Sequence, residues 1–531
     1  MKTPRISESR RPVGGGWFLP ASLVLVLLLG TAGLSTAAQR NILVLIADDY
    51  GMDSHSLYNT TSGGATLPPT TNLNALLQSG VLFRNAYANA TCSPTRAALL
   101  TGRYGFRTGV NTALASAATI GIYTNEYTLP EVLRANPALG YHSSAFGKWH
   151  LGSGNTGPSV VGGWTNYAGG LGGALASYTN WNKVVNGSAP TANTNYPTTD
   201  VVNDAVAWIQ ARGTNNWLAW VAFNAAHTPF HKPPTNLCPQ YAGLPGTQIH
   251  INNNPRLYYE ASVQALDLEI GRLLNAVNRT NTDIIFLGDN GTPGQVIQPP
   301  YTQLRAKGTL YEGGTRVPMI IAGPDIVSPN RTNDAVVHAV DLYATILELS
   351  GVNLAQALPL GLTFDSRSLV PILHNQTFAP AEGAVLMQES EAVGMNQLPG
   401  RAARRGDHKL IQFTNSTEEF YNVATDPTEA TNLLLSPLTT TQQSALDALR
   451  ASLSAWQNTP VLTAPQWSGG QFRADAGWFV NARLALERST NLTATNWLRL
   501  TNATVQDRGF TIRLTDPAAA ISNGFYRVLA E

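Results

Sequence analysis

Cys92 lies at the expected start of a helix, where a nucleophile and an anion could meet. Ser93 suits a helix cap and Pro94 suits the first helical position, because its fixed φ is helical and its missing N–H would be unpaired there. The helix should begin just after Cys92 and end at Thr101-Gly102. Unpaired N–H groups and the positive dipole end favour an anion at this end, and Arg96 follows one turn later beside Cys92. The alternative is a buried, unreactive thiol.

Polar side chains follow four apolar segments that are predicted to be strands. Continuous apolar runs are typical of strands buried on both faces of a parallel sheet. Because ligands gather at the carboxyl ends of such strands, the polar groups should meet in one site, and adjacent acids there favour a cation. They are Asp48 and Asp49 after 41–47, Lys148 and His150 after 141–146, His227 after 217–223, and Asp289 and Asn290 after 282–288.

The segments between these strands must cover the sheet. The clearest crossover helix is 259–274, where apolar residues share one face. The Gly-rich, aromatic segment 162–181 is expected to form loops over the functional edge. Its aromatic side chains could stack on a sugar or aryl ring, or pin the segment to its own domain. These residues are Trp164, Tyr167, Tyr178 and Trp181.

Three segments resemble the type I sulfatases, which belong to the alkaline-phosphatase-like superfamily. Residues 92–96 match the C-x-P-x-R signature of that family, and the downstream run 100–103 matches as well. Residues 307–318 resemble the segment that carries an active-site lysine, here Lys307. The short strands from about residue 382 and the helix after them are similar to the smaller C-terminal subdomain of sulfatases. The likeness covers roughly residues 40–456 and implies a sulfuric ester hydrolase of the arylsulfatase type.

The resemblance also implies two cofactors. In that family the signature cysteine is oxidised after translation to formylglycine, whose hydrate is the nucleophile. Cys92 would then be a precursor, modified by a formylglycine-generating or sulfatase-maturating enzyme. Calcium, which prefers six to eight oxygen ligands, would be held by the modified residue at position 92 and by four further residues. Those four are Asp48, Asp49, Asp289 and Asn290.

The remaining family roles are carried over residue by residue. By resemblance, Asp289 takes the proton of the attacking hydroxyl, while Arg96 and Lys148 stabilise the nucleophile and the growing charge. His227 and Lys307 contact the sulfate and protonate the departing oxygen. His150 removes the remaining hydroxyl proton so that sulfate is expelled. The substrate would be a sulfated small molecule or a sulfated carbohydrate.

Composition excludes several other classes of protein. The net charge is +1 and charged residues make up 13% of the 531 residues, so there is no basic surface for nucleic acid. The two cysteines, Cys92 and Cys238, allow one disulfide but neither a disulfide framework nor a multi-thiolate zinc site.

The N-terminal segment has the pattern of a secretory signal peptide. Basic residues precede the apolar run 19–30, and small residues continue to Ala37-Ala38. Cleavage there would leave a chain that starts near Gln39 and is exported to the periplasm or the extracellular space. The apolar run is too short for a comfortable membrane span, so no stable span is expected after cleavage. An uncleaved anchor is the alternative.

These observations predict an α/β fold of the alkaline-phosphatase-like sandwich type, with a large, mostly parallel sheet between helices. We expect a signal peptide over 1–38 and the catalytic domain over 39–375. A smaller antiparallel subdomain with a closing helix follows over 376–457. A Pro-containing linker is predicted over 458–475, and a small β module of open role over 476–531.

Two other functions fit the same residues. A phosphomonoester or phosphonate hydrolase of the same superfamily would also use a cation, Arg96 and an anion pocket, and a second metal would favour it. A non-catalytic exported binding protein, in which Cys92 is never oxidised, is the alternative from another class.

Overall fold

The computed structural model describes most of the chain after residue 39. The described residues are 40–59, 65–115, 121–122, 126–154, 157–359, 362–377, 383–389, 398–457, 462–468, 471–477, 484–489, 497–501, 503–507, 511–517 and 525–530. The predicted signal peptide over 1–38 therefore lies outside the described residues. No helix within the described ranges combines the length and the hydropathy needed to cross a bilayer.

The helices and strands alternate over the first two thirds of the chain, and strands dominate thereafter. The strands are β1 (Asn41–Ala47), β2 (Gly80–Tyr87), β3 (His142–Gly147), β4 (Asn166–Gly169), β5 (Trp181–Val185), β6 (Thr191–Asn193), β7 (Trp217–Ala222), β8 (Thr282–Gly288), β9 (Met319–Ala322), β10 (Arg331–His338), β11 (Val385–Glu389), β12 (Gly400–Arg405), β13 (His408–Phe413), β14 (Glu418–Asn422), β15 (Leu462–Ser468), β16 (Gln471–Gly477), β17 (Leu484–Ser489), β18 (Leu498–Arg499), β19 (Thr504–Asp507), β20 (Thr511–Asp516) and β21 (Phe525–Ala530). The helices are α1 (Thr71–Leu76), α2 (Cys92–Thr101), α3 (Gly105–Thr108), α4 (Leu129–Ala135), α5 (Pro197–Gln210), α6 (Gln248–Asn253), α7 (Pro255–Ala276), α8 (Glu312–Thr315), α9 (Asp341–Leu349), α10 (Leu354–Ala357), α11 (Val370–Leu373) and α12 (Thr440–Gln457).

The main sheet is large and mostly parallel, as predicted. Its ten strands lie in the order β10-β2-β9-β8-β1-β7-β3-β4-β5-β6. The central strand β1 pairs in parallel with β7 and β8, and β3 pairs in parallel with β7 and β4. Antiparallel pairing is confined to β9 and to the β4-β5-β6 end.

Helices cover both faces of this sheet, because the central strands carry apolar side chains on both faces. Ile42, Val44 and Ile46 of β1 pack in one core with residues of α2, α4 and α9. Leu43 and Leu45 pack in a second core with residues of α1, α5 and α7. Each layer of helices buries one face of the sheet, so every residue of β1 is buried and the sheet is a rigid support. The predicted α/β sandwich is therefore confirmed.

The Gly-rich segment 162–181 contains more regular structure than the sequence suggests. Residues Asn166–Gly169 form β4 inside the main sheet, and Trp181 begins β5. The side chains expected to stack on a ring are only 2–3% exposed: Trp164, Tyr167, Tyr178 and Trp181. They pin the segment to its own domain, and the hypothesis that they stack on a substrate ring is wrong.

A small antiparallel sheet follows, in the order β11-β12-β13-β14. Helix α12 closes it: Leu446, Leu449 and Leu453 share a core with Leu410 of β13. The same core includes Ala98 of α2, so this sheet packs against the helix that Cys92 begins. Strand β12 was not expected, because its residues GRAARR lack an apolar run.

The predicted linker over 458–475 is wrong from residue 462. Strands β15 and β16 pair there and continue into a four-stranded sheet with β20 and β19. Pro465 suggested a linker, but β15 is an edge strand and its register shifts between Thr463 and Gln466, around this proline. A residue without an N–H is tolerated at such a bulge on an edge. The other strands of this β module form a second sheet, β18-β17-β21.

A buried ionic cluster joins the small sheet to α8 of the main domain. Lys409 Nζ of β13 lies 3.0 Å from Glu312 Oε1 and 3.0 Å from Glu429 Oε1, and all three side chains are buried. The backbone N–H of Glu312 donates to Glu429 Oε2 at 2.6 Å. Burial would raise the pKa of Glu312, but Lys409 and Arg404 outweigh it and lower the pKa. Lys409 is therefore a cation that two buried carboxyl groups share.

We expect Lys409→Met to reduce the free energy of unfolding by about 3–5 kcal/mol, because it removes the cation that lies 3.0 Å from both buried carboxyl groups. Arg450→Met is the matched control in the same subdomain, since Arg450 pairs with Glu418 while 43% exposed. Its loss should be at most about 1 kcal/mol. Urea unfolding of the three proteins measures both values, and equal losses would contradict the role given to Lys409.

Candidate active site

Cys92 lies at the first position of α2, one residue earlier in the helix than predicted. Thr91 is the cap residue, with extended backbone angles and no side-chain cap, and its hydroxyl instead donates to Glu389 Oε2 at 2.8 Å. Ser93 was expected to cap, but its hydroxyl accepts a hydrogen bond from the backbone N–H of Leu114 at 3.1 Å. The first N–H groups of α2 therefore have no side-chain cap and remain beside Cys92.

The strand ends meet beside Cys92 because backbone hydrogen bonds continue past each strand. The N–H of Asp48 donates to Ala225 O, and that of Asp289 donates to Ala47 O. The N–H of Lys148 donates to Ala222 O. These bonds carry the sheet pairing into the loops, so rigid backbone sets the position of each polar side chain.

Four acidic or amide residues form a buried oxygen cluster next to the thiol. The carboxylates of Asp48 and Asp289 and Cys92 Sγ include ligand atoms that all lie within 4.8 Å of one another. Asn290 Nδ2 donates to Asp49 Oδ1 at 2.8 Å, and the N–H of Asp49 donates to Asp289 Oδ1 at 3.1 Å. Asp48, Asp49, Asp289 and Asn290 are all at most 1% exposed.

Two oxygens of this cluster suit a metal ion. Asp48 Oδ1 and Asn290 Oδ1 are buried and receive no hydrogen bond from any part of the chain that the structure describes. Burial raises the pKa of Asp48 well above its ordinary value, although Lys148 opposes the shift. An ionised carboxyl here is therefore costly without a further cation. Hard oxygen donors of this kind fit a divalent cation such as calcium or magnesium.

Three cations surround the oxygen cluster. Arg96 donates from Nε and Nη2 to Asp289 Oδ2 at 3.0 and 2.6 Å, and from Nη1 to the Lys148 carbonyl at 3.1 Å. Lys148 Nζ donates to Asp48 Oδ2 at 2.7 Å, and Lys307 Nζ pairs with Asp49 Oδ1. Burial would raise the pKa of Asp49, but Lys307 and His227 outweigh it and keep the carboxyl ionised.

Two histidines complete the site from opposite sides. His150 Nδ1 lies 3.1 Å from Cys92 Sγ, and its Nε2 lies 2.7 Å from the carbonyl of Leu114. His227 donates from Nδ1 to the Thr228 carbonyl at 2.8 Å, which leaves Nε2 facing Asp49 at 3.8 Å. Burial lowers the pKa of both rings, that of His227 to about 3. Protonation of His227 at neutral pH thus requires a further anion, in addition to Asp49.

The structure brings all ten predicted site residues into one connected cluster. They are Asp48, Asp49, Cys92, Arg96, Lys148, His150, His227, Asp289, Asn290 and Lys307. Their catalytic roles remain predictions. Sequence reasoning missed the partners that hold them, such as the Leu114 carbonyl, Glu389 and Tyr259, whose hydroxyl donates to the Asp49 carbonyl at 2.9 Å. A backbone carbonyl has no sequence signal, and Glu389 precedes no motif.

Comparison with known families gives two matches along the chain. The model described as Sulfatase matches residues 40–352, which include every residue of the site. The model described as N-sulphoglucosamine sulphohydrolase, C-terminal, matches residues 303–457, which include the small sheet and α12.

Individual relatives agree with these matches. The chain is 28% identical over 494 residues to a sulfatase of Formosa agariphila, covering 78% of this chain and 88% of the relative. It is 30% identical over 416 residues to arylsulfatase G of Mus musculus, covering 66% and 74%. A solved structure described as a complex with its substrate, D-glucosamine-2-N,6-O-disulfate, superposes with a TM-score of 0.62 at 20% identity, covering 79% of this chain and 97% of that one.

Proposed function

Because this chain belongs to the sulfatase family, we propose that it hydrolyses the sulfate ester of a sulfated carbohydrate or aryl compound with calcium and a formylglycine formed from Cys92. The observation that carries the proposal is the position of Cys92. Its Sγ shares one buried cluster with Asp48, Asp289 and His150. A carbohydrate substrate is supported by the sulfated sugar named as substrate of the superposed structure.

The residues present fit both cofactors. Asp48, Asp49, Asp289 and Asn290 would hold calcium, and the two unpaired oxygens described above are ready ligands. When both groups are present, they supply an activated oxygen nucleophile and a Lewis acid for the sulfate oxygens. Residues 92–96 retain the C-x-P-x-R pattern that a formylglycine-generating enzyme would recognise.

The chain's own side chains would bind and orient the sulfate group. Arg96 donates two hydrogen bonds to the Asp289 carboxylate and so fixes its position. This carboxylate would accept a proton from the nucleophile. Lys148 and Lys307 each bond one carboxylate, so their remaining N–H donors are available to an SO₃ group. His227 Nε2 and Lys307 Nζ would hold the proton for the departing oxygen. His150 Nδ1 would accept a proton from the group at position 92.

We propose export as the setting of this chemistry. The basic residues, the apolar run and the small residues of 1–38 support a signal peptide cleaved before Gln39. Intact-mass measurement of protein from the native host gives the N-terminal residue directly. A chain that retains residues 1–38 would exclude cleavage.

Mass spectrometry of the tryptic peptide 85–96 tests the modification. We expect an aldehyde in place of the Cys92 thiol in protein from the native host, while the peptide that carries Cys238 keeps its thiol as the internal control. Cys92→Ala should reduce turnover to background, because no nucleophile remains. A persistent Cys92 thiol in active protein would refute the formylglycine, and a persistent thiol in inactive protein would favour the binding-protein alternative.

Calcium should stabilise the chelated protein, by about 2.7 kcal/mol at a hundredfold excess over the Kd. Asp48→Asn should abolish most of this calcium-dependent rise in the unfolding temperature, because it removes a charged ligand. Asp53→Asn is the matched control. Asp53 is an equally buried carboxyl close by, but its oxygens accept hydrogen bonds from Thr292 at 2.5 Å and Ser54 at 3.1 Å. An unchanged calcium response in Asp48→Asn would contradict the assignment.

Turnover of matched aryl esters distinguishes the two hydrolases. The metal-capable groups found among the described residues draw only on residues of the site itself and include no additional Asp/His cluster that would demand a second metal, which is what the phosphatase alternative would favour. We expect kcat/KM for an aryl sulfate to exceed that for the corresponding aryl phosphate by at least about tenfold, equivalent to about 1.4 kcal/mol. Faster turnover of the phosphate would establish the phosphomonoesterase instead.

A further inference from the structure

We propose that His150 is fixed in one tautomer by three residues outside the ten site residues: Leu114, Ser93 and Gly173. The inference rests on the proposed function, because it assigns these residues to positioning the base that faces position 92. It adds three positioning residues to the ten site residues. The first supplies a carbonyl, the second anchors that carbonyl, and the third confines the ring.

The Leu114 carbonyl determines which ring nitrogen of His150 carries the proton. His150 Nε2 lies 2.7 Å from Leu114 O, and a carbonyl can only accept a hydrogen bond. Nε2 is therefore the N–H, and Nδ1 of the neutral ring has a free lone pair. That lone pair faces Cys92 Sγ at 3.1 Å. The ring thus presents an acceptor to the residue whose proton must be removed.

Ser93 holds the segment that carries this carbonyl. Leu114 donates from its backbone N–H to Ser93 Oγ at 3.1 Å, and its side chain is buried in the core against α2. Ser93 follows Cys92 directly in α2, so the nucleophile and the anchor of its base share one turn of helix. A shift of the helix would move both together, which preserves their spacing.

Gly173 confines the ring from the remaining side. A Cβ added there would lie 2.5 Å from both Cε1 and Nε2 of His150, a distance at which the ring or the loop must shift and which the ring relieves by rotating. The backbone of His150 cannot easily follow, because it already has a positive φ of 54° and its N–H donates to Leu171 O at 3.1 Å. Any side chain at 173 should therefore rotate the imidazole away from Leu114 O and position 92.

Gly170 provides a matched control in the same loop. A Cβ at Gly170 would meet only Leu175 Cδ2 at 3.5 Å, an ordinary contact. Neither Gly170 nor Gly173 has a positive φ, so alanine at either position introduces no backbone strain. The two alanine variants differ in their contact with His150.

Kinetics of the fully modified protein test the positioning role. With turnover normalised to the formylglycine content, Gly173→Ala should lower kcat about 10- to 100-fold with little change in KM, because the proton acceptor is displaced while sulfate binding remains. Gly170→Ala should stay within about twofold of wild type. Ser93→Ala, which keeps the C-x-P-x-R pattern, should lower kcat by a smaller factor. Equal effects of Gly173→Ala and Gly170→Ala, or a change confined to KM, would overturn the proposal.

A spectroscopic readout separates this inference from the proposed activity. In protein labelled with ¹⁵N-histidine, signals absent from His150→Gln identify His150 among the nine histidines. Wild type and Gly170→Ala should show an Nε2–H ring with unprotonated Nδ1, and Gly173→Ala should lose that pattern. An Nδ1–H ring in wild type, or an unchanged pattern in Gly173→Ala, would refute the proposal that these three residues fix the tautomer of His150. If the tautomer pattern is as expected but no sulfate ester is hydrolysed, the proposed function fails and the positioning geometry stands.

Discussion

Three carboxylates buried within a few ångströms of one another are the constraint on which this structure depends. Asp48, Asp49 and Asp289 are at most 1% exposed, and ionised carboxyls in such a setting destabilise a fold unless cations accompany them. Arg96, Lys148 and Lys307 supply three positive charges, each paired directly with one carboxylate. Burial nevertheless keeps the pKa of Asp48 raised, so its ionised form would be stabilised by a further cation.

The main sheet holds these charged side chains in fixed positions. Each carboxylate extends from a strand whose two faces are buried under helices, and backbone hydrogen bonds continue the pairing past the strand ends. This is also why the site could be predicted. Apolar runs such as 41–47 and 282–288 indicate buried strands. The residue after each run must lie at the edge of the sheet that the carboxyl ends of the parallel strands form. The signature around Cys92 then identified the chemistry through a resemblance that composition alone could not supply.

What the sequence did not predict depends on partners distant along the chain. Strand β12 is rich in arginine. Arg404 pairs with Glu312 of the main domain, and Arg401 donates to Gln412 Oε1 and to the Leu453 carbonyl. Pro465 interrupts the apolar pattern of β15, which is a strand because the edge of its sheet tolerates a bulge. The support of His150 comes from a carbonyl and a glycine, neither of which has a side-chain signal. Sequence patterns therefore predicted the residues that cluster around Cys92, and the three-dimensional contacts show what holds them.

The small antiparallel sheet contacts segments that carry two residues of the candidate active site, Cys92 and Lys307. The segment that carries Lys307 is tied to the main domain by backbone bonds from Lys307 N to Thr292 O and from Gly308 N to Ala90 O. It continues into α8, where Glu312 is held by Lys409 and Glu429 of the C-terminal part. Glu389 of β11 accepts a hydrogen bond from Thr91, next to Cys92. Because both the lysine segment and the start of α2 contact this sheet, a loosened C-terminal subdomain would disturb the position of Lys307 and Cys92 relative to Asp48, Asp49 and Asp289.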